Sequence, residues 1–152
     1  MNTPRRSEDP GVTVHSFLKN PLLVVCPRCG RRARVAMKTL PTLTCLACGY
    51  AKLSRSSSTL APFPSDGPEA VDPYFGLPLW LQEPTGPHVL WALNISHLDY
   101  LEAYVATPLR QRTHLSGWQN STMASRLPGW LTSAAHREVV LAAVQRLRQK
   151  RT

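Results

Sequence analysis

The chain has 152 residues, 43% of them apolar and 14 of them proline, enough for one ordinary domain or two small ones with irregular connections. It contains no run of about eighteen apolar residues and no export signal in residues 1–20, so we expect a cytoplasmic protein without a membrane span. The formal net charge of +9 makes nucleic acid the first partner to consider, although a basic protein can be soluble without binding any polyanion.

The charge is arranged in three blocks. Residues 1–60 carry ten basic against two acidic side chains, residues 61–109 carry six acidic and none basic, and residues 110–152 carry eight basic and one acidic. The chain is therefore basic at both ends and acidic in the middle.

Composition also predicts how the chain is divided. Residues 1–20 have no apolar period and are expected to be a mobile tail. Residues 21–54 hold all four cysteines, residues 55–70 are a Ser/Pro-rich linker, and residues 71–152 are expected to form a small α+β domain.

The cysteines lie in two Cys-x-x-Cys units separated by fifteen residues, each followed by a glycine. We call residues 26–30 and 45–49 the two knuckles. Two thiolates from one tight turn can reach one ion at ~2.3 Å, and two such turns complete a tetrahedral site. The spacing predicts one structural Zn²⁺ bound by Cys26, Cys29, Cys45 and Cys48.

Disulfides and a thioredoxin-like redox motif are the alternatives. Disulfides require an oxidising compartment, which the absence of an export signal does not favour. A redox motif would open a helix in a βαβ unit, whereas residues 41–42 and 49–50 indicate turns and short strands. Zinc is the preferred interpretation. Because a four-cysteine site has no open coordination position, it favours a binding protein over an enzyme.

Three segments around the knuckles read as strands. Residues 22–25 lead into the first knuckle, residues 32–37 alternate apolar and basic side chains after it, and residues 50–53 follow the second. Together they predict a zinc ribbon, a module too small to fold unaided. The metal would supply the missing stabilisation, ~10–16 kcal/mol of apparent binding in small zinc peptides.

The ribbon carries basic residues and no acid between the first knuckle and residue 53. We expect a nucleic-acid-binding surface formed by Arg28, Arg31, Arg32, Arg34, Lys38 and Lys52. Alternatively, these cations neutralise the charge of −2 on a zinc tetrathiolate. Tyr50 is the only aromatic residue of the ribbon, so the hypothesis rests on charge and not on base stacking.

A tryptophan-rich hairpin is predicted at the start of the second unit. Residues 79–82 and 88–93 read as strands buried on both faces, joined by a loop over residues 83–87 that is longer than a two-residue turn. Trp80 and Trp91 are weak candidates for a partner-binding site, although core positions are the commoner role.

Two main helices are expected to follow. The first is capped by Asn94 or Ser96 and ends near Ala106, ahead of Pro108. The last is capped by Ser133 and spans about residues 134–148 with an arginine-rich end. Between them we expect a loop over residues 113–119 and a helical turn over residues 121–127.

No catalytic motif accompanies these elements. His97 and Asp99 lie close in sequence, but no third ligand is suitably spaced, so His97 is expected at the surface or in a helix cap. The chain has no nucleophile elbow, phosphate loop or dinucleotide-binding glycine motif.

The knuckles resemble the zinc ribbons of transcription factors, RNA polymerase subunits and ribosomal proteins. The second unit resembles bacterial proteins in which a general-transcription-factor-type (TFIIB-like) zinc ribbon precedes a small Trp-rich domain. The stretches that carry this second resemblance are residues 72–82, 90–94, 97–102 and 125–128, with Trp130. It implies the architecture and the zinc, but no activity.

The sequence thus predicts an α+β protein, a Cys₄ zinc ribbon followed by a small α+β domain with a Trp-rich hairpin and two main helices. We expect non-catalytic binding to nucleic acid, or to a nucleic-acid-bound machine such as RNA polymerase, through a basic surface. The alternative is a protein-interaction adaptor in which the ribbon is purely structural and the acidic, Trp-containing residues 66–102 meet a protein partner. No feature indicates a small-molecule substrate.

Overall fold

The computed structural model describes residues 20–55, 69–106 and 129–150. The fold is α+β, with a four-stranded antiparallel sheet, a separate two-stranded hairpin and helices packed on it. Several expectations lie outside the described residues: the N-terminal tail, nearly all of the Ser/Pro-rich linker, and the loop and helical turn expected between residues 113 and 127.

The ribbon sheet contains four strands and not about three: β1 (Leu22–Val25), β2 (Arg32–Met37), β3 (Pro41–Thr44) and β4 (Ala51–Leu53), paired in that order. The strand that sequence patterns missed is β3. It begins with Pro41, opposite Met37 of β2. Proline is tolerated at the first position of a strand, so it starts β3 without interrupting the ladder. The two knuckles connect β1 to β2 and β3 to β4.

The hairpin of the second unit is formed by β5 (Leu81–Thr85) and β6 (His88–Ala92). Thr85 is paired with His88, so Gly86 and Pro87 alone form the turn, and the expected longer loop is wrong. Gly86 has a φ of 63°, which suits the first central position of a tight hairpin turn. The hairpin strands are also only partly buried, in contrast to the burial expected on both faces.

The helices in the described residues after the hairpin are α1 (Ile95–Ala106), the short α2 (Gly129–Thr132) and α3 (Arg137–Gln149). Asn94 caps α1, because its Oδ1 accepts the amide of His97 at 3.0 Å. Ser133 caps a 3₁₀ turn (Ala134–His136) that precedes α3. No helix in these parts of the chain combines the length and apolar character that crossing a bilayer requires.

Strand β1 joins the ribbon to the second unit. The Leu23 amide donates to the Leu93 carbonyl at 2.9 Å, the Leu23 carbonyl accepts from the Trp80 amide at 2.9 Å, and the Val25 amide donates to the Pro78 carbonyl at 2.9 Å. The edge of β1 is therefore paired with the second unit. This pairing explains why the first predicted hairpin strand begins two residues late, since Leu79 forms a bridge with Val24.

Side chains of β1 enter two cores from opposite faces of the strand. In the first core, Leu22 and Val24 lie with residues of both units; its other members are Cys26, Ala33, Val35, Leu43, Cys45, Ala70, Tyr74, Leu79 and Leu93. In the second core, Leu23 packs with hairpin residues and with the buried faces of α1 and α3. The predicted apolar face of the last helix, Val140, Val144 and Leu147, is buried there.

Asp72 organises the loop between the linker and the bridge to β1. Its carboxylate is fully buried and accepts the amides of Tyr74 at 2.8 Å, Phe75 at 2.7 Å and Leu77 at 2.8 Å. A buried carboxylate is tolerated when several N–H groups are directed at it. The Asp72 carboxylate thus holds the backbone of residues 74–77 in place through these hydrogen bonds.

His97 is buried, with 1% of its surface exposed, which corrects its expected surface position. Its Nδ1 accepts the Leu93 amide at 3.0 Å, so the neutral ring carries its proton on Nε2, and the ring meets Trp91 edge-on at 5.5 Å. Burial lowers the pKa of His97 from 6.5 to about 3. The imidazole is thus a neutral part of the fold at physiological pH.

We expect His97 to make the protein acid-labile. The unfolded chain binds a proton near pH 6.5 and the folded chain only near pH 3, so stability is full above this window and falls by ~1.4 kcal/mol per pH unit within it. Asn at position 97 keeps an acceptor for the Leu93 amide but cannot titrate. Denaturant unfolding at several pH values should therefore show the free energies of wild type and His97→Asn converging as the pH falls. Parallel curves would contradict this role, and comparing the two proteins removes any contribution from the thiols that they share.

Candidate metal centre and ribbon surface

The two knuckles have the same backbone geometry. In each, the amide of the closing glycine donates to the carbonyl of the first cysteine, Gly30 to Cys26 at 2.9 Å and Gly49 to Cys45 at 2.9 Å. The glycines have φ angles of 78° and 82°, a region that side-chain-bearing residues rarely adopt. Glycine is needed at both positions to turn the chain tightly around the sulfurs.

The four sulfurs converge on one point. All Sγ atoms lie within 4.8 Å of one another; the separations between knuckles are 3.7 Å for Cys26 and Cys48 and 3.6 Å for Cys29 and Cys45. Four ligands at ~2.3 Å from a tetrahedral ion are about 3.8 Å apart, whereas a disulfide would bring two sulfurs to about 2.05 Å. All four cysteines are free thiols, and their arrangement fits a single tetrahedral metal ion.

The two thiols of the first knuckle, Cys26 and Cys29, differ in acidity. Burial raises the pKa of Cys26, but hydrogen bonds from the Cys29 and Arg28 amides outweigh it and lower the pKa from 9.0 to about 7. For Cys29, a hydrogen bond from the Arg31 amide lowers the pKa, yet burial and the neighbouring sulfurs raise it to about 11. Four thiolates at this spacing repel one another, and a divalent cation among them removes that repulsion.

The cluster has four ligands and no fifth. Within the described ranges, no His, Asp or Glu side chain joins the group. Cys26 and Cys45 are buried, whereas Cys29 is exposed and Cys48 half-buried. A closed set of four thiolates offers a substrate or water no coordination position, so the centre is suited to a structural role.

The six basic residues proposed for the ribbon surface are all exposed, but they do not share one face. Arg32 and Arg34 alternate with buried Ala33 and Val35, so they project from the outer side of β2. Lys52 lies opposite Leu43, whose side chain is buried on the inner side. Of the remaining three, Arg28 and Arg31 lie at the first knuckle and Lys38 at the β2–β3 turn.

Arg146 and Arg148, near the end of α3, differ from the arginines of the ribbon because they are paired. Arg148 forms ion pairs with Asp99, at 2.6 Å, and with Glu102 of α1, and Arg146 pairs with Glu83 of β5. Sequence reasoning missed these contacts, which join the acidic block to the C-terminal basic block. The available signal was the order of the charge blocks, since an acidic and a basic segment of one small domain attract each other.

The tryptophans proposed as a partner site lie mostly inside the protein. Trp80 is 8% exposed within the second core, with the Lys150 Nζ 4.5 Å above its ring. Trp91 is half-buried and packs against the first core. Trp130, also half-buried, stacks on His88 with ring centroids 4.6 Å apart.

Comparisons with protein-family models, curated proteins and solved structures found no match to this chain. The geometry of the site and the pattern of charge therefore carry the functional argument.

Removing the metal should destabilise the second unit as well as the ribbon, because β1 supplies side chains to both cores. Small zinc modules derive ~10–16 kcal/mol from their ion, comparable to the whole stability of a domain. All four tryptophans lie beyond residue 54, so tryptophan fluorescence reports on the second unit alone. We expect a chelator, or Cys48→Ser, to abolish metal binding and to shift the fluorescence unfolding transition to much lower denaturant.

The control for that experiment is Ala47→Ser, an exposed position in the same knuckle that offers no sulfur. It should keep one metal ion per chain and an unchanged transition. If the fluorescence transition stays in place after the metal is lost, the two units are energetically independent.

Proposed function

We propose that this protein is a non-catalytic zinc-ribbon protein that contacts nucleic acid, or a nucleic-acid-bound machine such as RNA polymerase, through the basic surface of its ribbon. The observation that carries the proposal is the unequal pairing of its charges. Arg146 and Arg148 of α3 are matched by carboxylates, whereas the six exposed ribbon cations have no ion-pair partner in the described residues.

Zinc is the metal that this site supports best. Four thiolates in a tetrahedral arrangement select zinc or iron among the common ions. The closed ligand set, the paired glycine-ended knuckles and the resemblance to TFIIB-like ribbons favour structural zinc. A cytoplasmic location is consistent with it, since a reducing compartment keeps the thiols free.

A binding role agrees with the environments of the groups that could otherwise take part in catalysis. The metal centre has no open position. His97 is buried and neutral, with Nδ1 engaged by the Leu93 amide. The Asp72 carboxylate is fully buried and accepts three amides. None of these groups is available as an acid, base or nucleophile for a substrate.

Charge on the ribbon supports an anionic partner. Residues 20–55 contain seven Lys or Arg and no Asp or Glu, so even a tetrathiolate of −2 leaves the segment strongly positive. Neutralising the thiolates would occupy only part of this charge, and Lys38 lies at the β2–β3 turn, at the end of the sheet away from the knuckles. Unmatched, exposed cations at this density attract phosphates.

The adaptor alternative finds less support. It requires accessible acids and tryptophans in residues 66–102, yet Trp80 and Asp72 are buried. Glu83, Asp99 and Glu102 are engaged by arginines of α3. A protein partner would have to compete with these internal contacts.

Fluorescence polarisation with labelled nucleic acid tests the proposal. We expect binding at low salt whose affinity falls steeply as salt rises, because cations released from phosphates drive it. Replacing Arg31, Arg32 and Arg34 together by Ala should weaken binding and reduce the log–log salt slope by about 2 to 3. The metal content should not change, because the three side chains are exposed.

The matched control replaces the same three arginines by Lys, which keeps the charge. It should retain most of the affinity, since a lysine is also a phosphate contact. An absence of binding at low salt would reject the nucleic-acid proposal and direct attention to a protein partner.

A further inference from the structure

Exposed aromatic rings are lacking in the described part of the chain. Of its Phe, Tyr and Trp side chains, Tyr74, Trp80 and Tyr104 are buried, and the others are half-buried: Tyr50, Phe75, Trp91, Tyr100 and Trp130. Proteins that bind single strands usually stack bases on exposed rings, at ~1–3 kcal/mol per base. The ribbon surface offers no such platform, so its binding must depend on the nucleic-acid backbone.

Arg32 and Arg34 lie on the part of the ribbon that is suited to contact a nucleic-acid backbone. Register across the sheet places Arg34 beside Thr44, Thr44 beside Ala51, and Thr42 beside Leu53. With Arg32, these residues form what we call the outer face of β2–β4: Arg32, Arg34, Thr42, Thr44, Ala51 and Leu53. Every one of them is exposed or half-buried.

The outer face is bounded on one side by the second unit. The next two residues on that side of the sheet, Leu23 and Val25 of β1, pack against the second core. The open part of the sheet is therefore restricted to β2, β3 and β4. The cations of the outer face, Arg32 and Arg34, lie on β2. Its other positions carry threonines and small or apolar side chains, and none carries a carboxylate.

We infer that the outer face of β2–β4 binds the phosphate backbone of double-stranded nucleic acid, without base stacking. The inference rests on the proposed function and specifies its ligand. A duplex presents one phosphate charge per ~1.7 Å of its axis, against one per ~3.4 Å for each strand, so it offers a cationic sheet without stacking rings the denser array of phosphates. Arginine guanidinium groups and threonine hydroxyls both donate to phosphate oxygens, contacts that position a protein without reading sequence.

The test uses the full-length protein with its metal content verified. Polarisation titrations compare a DNA duplex, an RNA duplex of the same length, and the corresponding DNA single strand. We expect at least one duplex to bind more tightly than the single strand, with little dependence on base sequence. The two duplex arms distinguish the B-form from the A-form arrangement of phosphates.

Paired variants then locate the surface. Arg32→Ala with Arg34→Ala should weaken duplex binding about tenfold at low salt and reduce the salt slope by about 2. Lys38→Ala with Lys52→Ala removes the same charge from the β2–β3 turn and the inner side of the sheet, and should weaken binding by no more than about threefold. Circular dichroism and metal content should be unchanged in both, since all four residues are exposed.

The outcomes separate the inference from the proposed function. Tighter binding of the single strand, or equal losses in the two paired variants, would overturn the inference while nucleic-acid binding stands. Failure of all three nucleic acids to bind would reject the inference together with direct nucleic-acid binding as the proposed function.

Discussion

The convergence of four sulfurs is the constraint on which the ribbon depends. Two knuckles far apart in sequence place their Sγ atoms within 4.8 Å, a spacing that thiolates accept only around a cation. The convergence of the sulfurs determines where β1 must enter the first knuckle and where β4 must leave the second. The register of the four short strands follows, because none of them is long enough to hold the sheet by itself.

The influence of the metal centre extends beyond the ribbon because β1 belongs to two cores. Cys26 and Cys45 are themselves members of the first core, with Leu79 and Leu93 from the second unit. On the other face of β1, Leu23 reaches the core that buries α1 and α3. A ribbon attached to a partner domain by a flexible linker would leave the edge of β1 unpaired, whereas here that edge is bonded to residues 78–80 and 93.

Sequence was most informative where structure is determined by neighbours in the chain. The Cys-x-x-Cys-Gly repeats, the alternation in β2 and the Asn94 cap are local patterns, and the structure contains each of them. Contacts between distant residues were not predictable in the same way. Leu79 pairs with Val24 of β1 and not with the hairpin partner expected from its pattern, because the exposed edge of β1 competes for it.

The burial of a polar residue is hard to predict from sequence for a related reason. A histidine or aspartate has no periodic signature, so its burial depends on which backbone amides the fold directs at it. His97 receives the Leu93 amide only because Asn94 caps α1 directly after β6, and Asp72 receives three amides because its own loop closes around it. A short Asp-Pro segment ending at Gly76, with φ of 72°, was the available signal for the second case.

The ion pairs within the second unit also determine where the excess positive charge of the described residues lies. The acidic block could have neutralised either basic block, but α1 and β5 pack against α3, so their carboxylates are committed to Arg146 and Arg148. Ion pairs at a surface contribute little to stability, ~0–1 kcal/mol each, yet they cancel the field of the groups involved. The described residues of the second unit hold six acidic and four basic side chains, so the excess of positive charge within the described residues lies on the ribbon. Within the described part of the chain, positive charge is thereby concentrated on the module that contains the four-cysteine cluster.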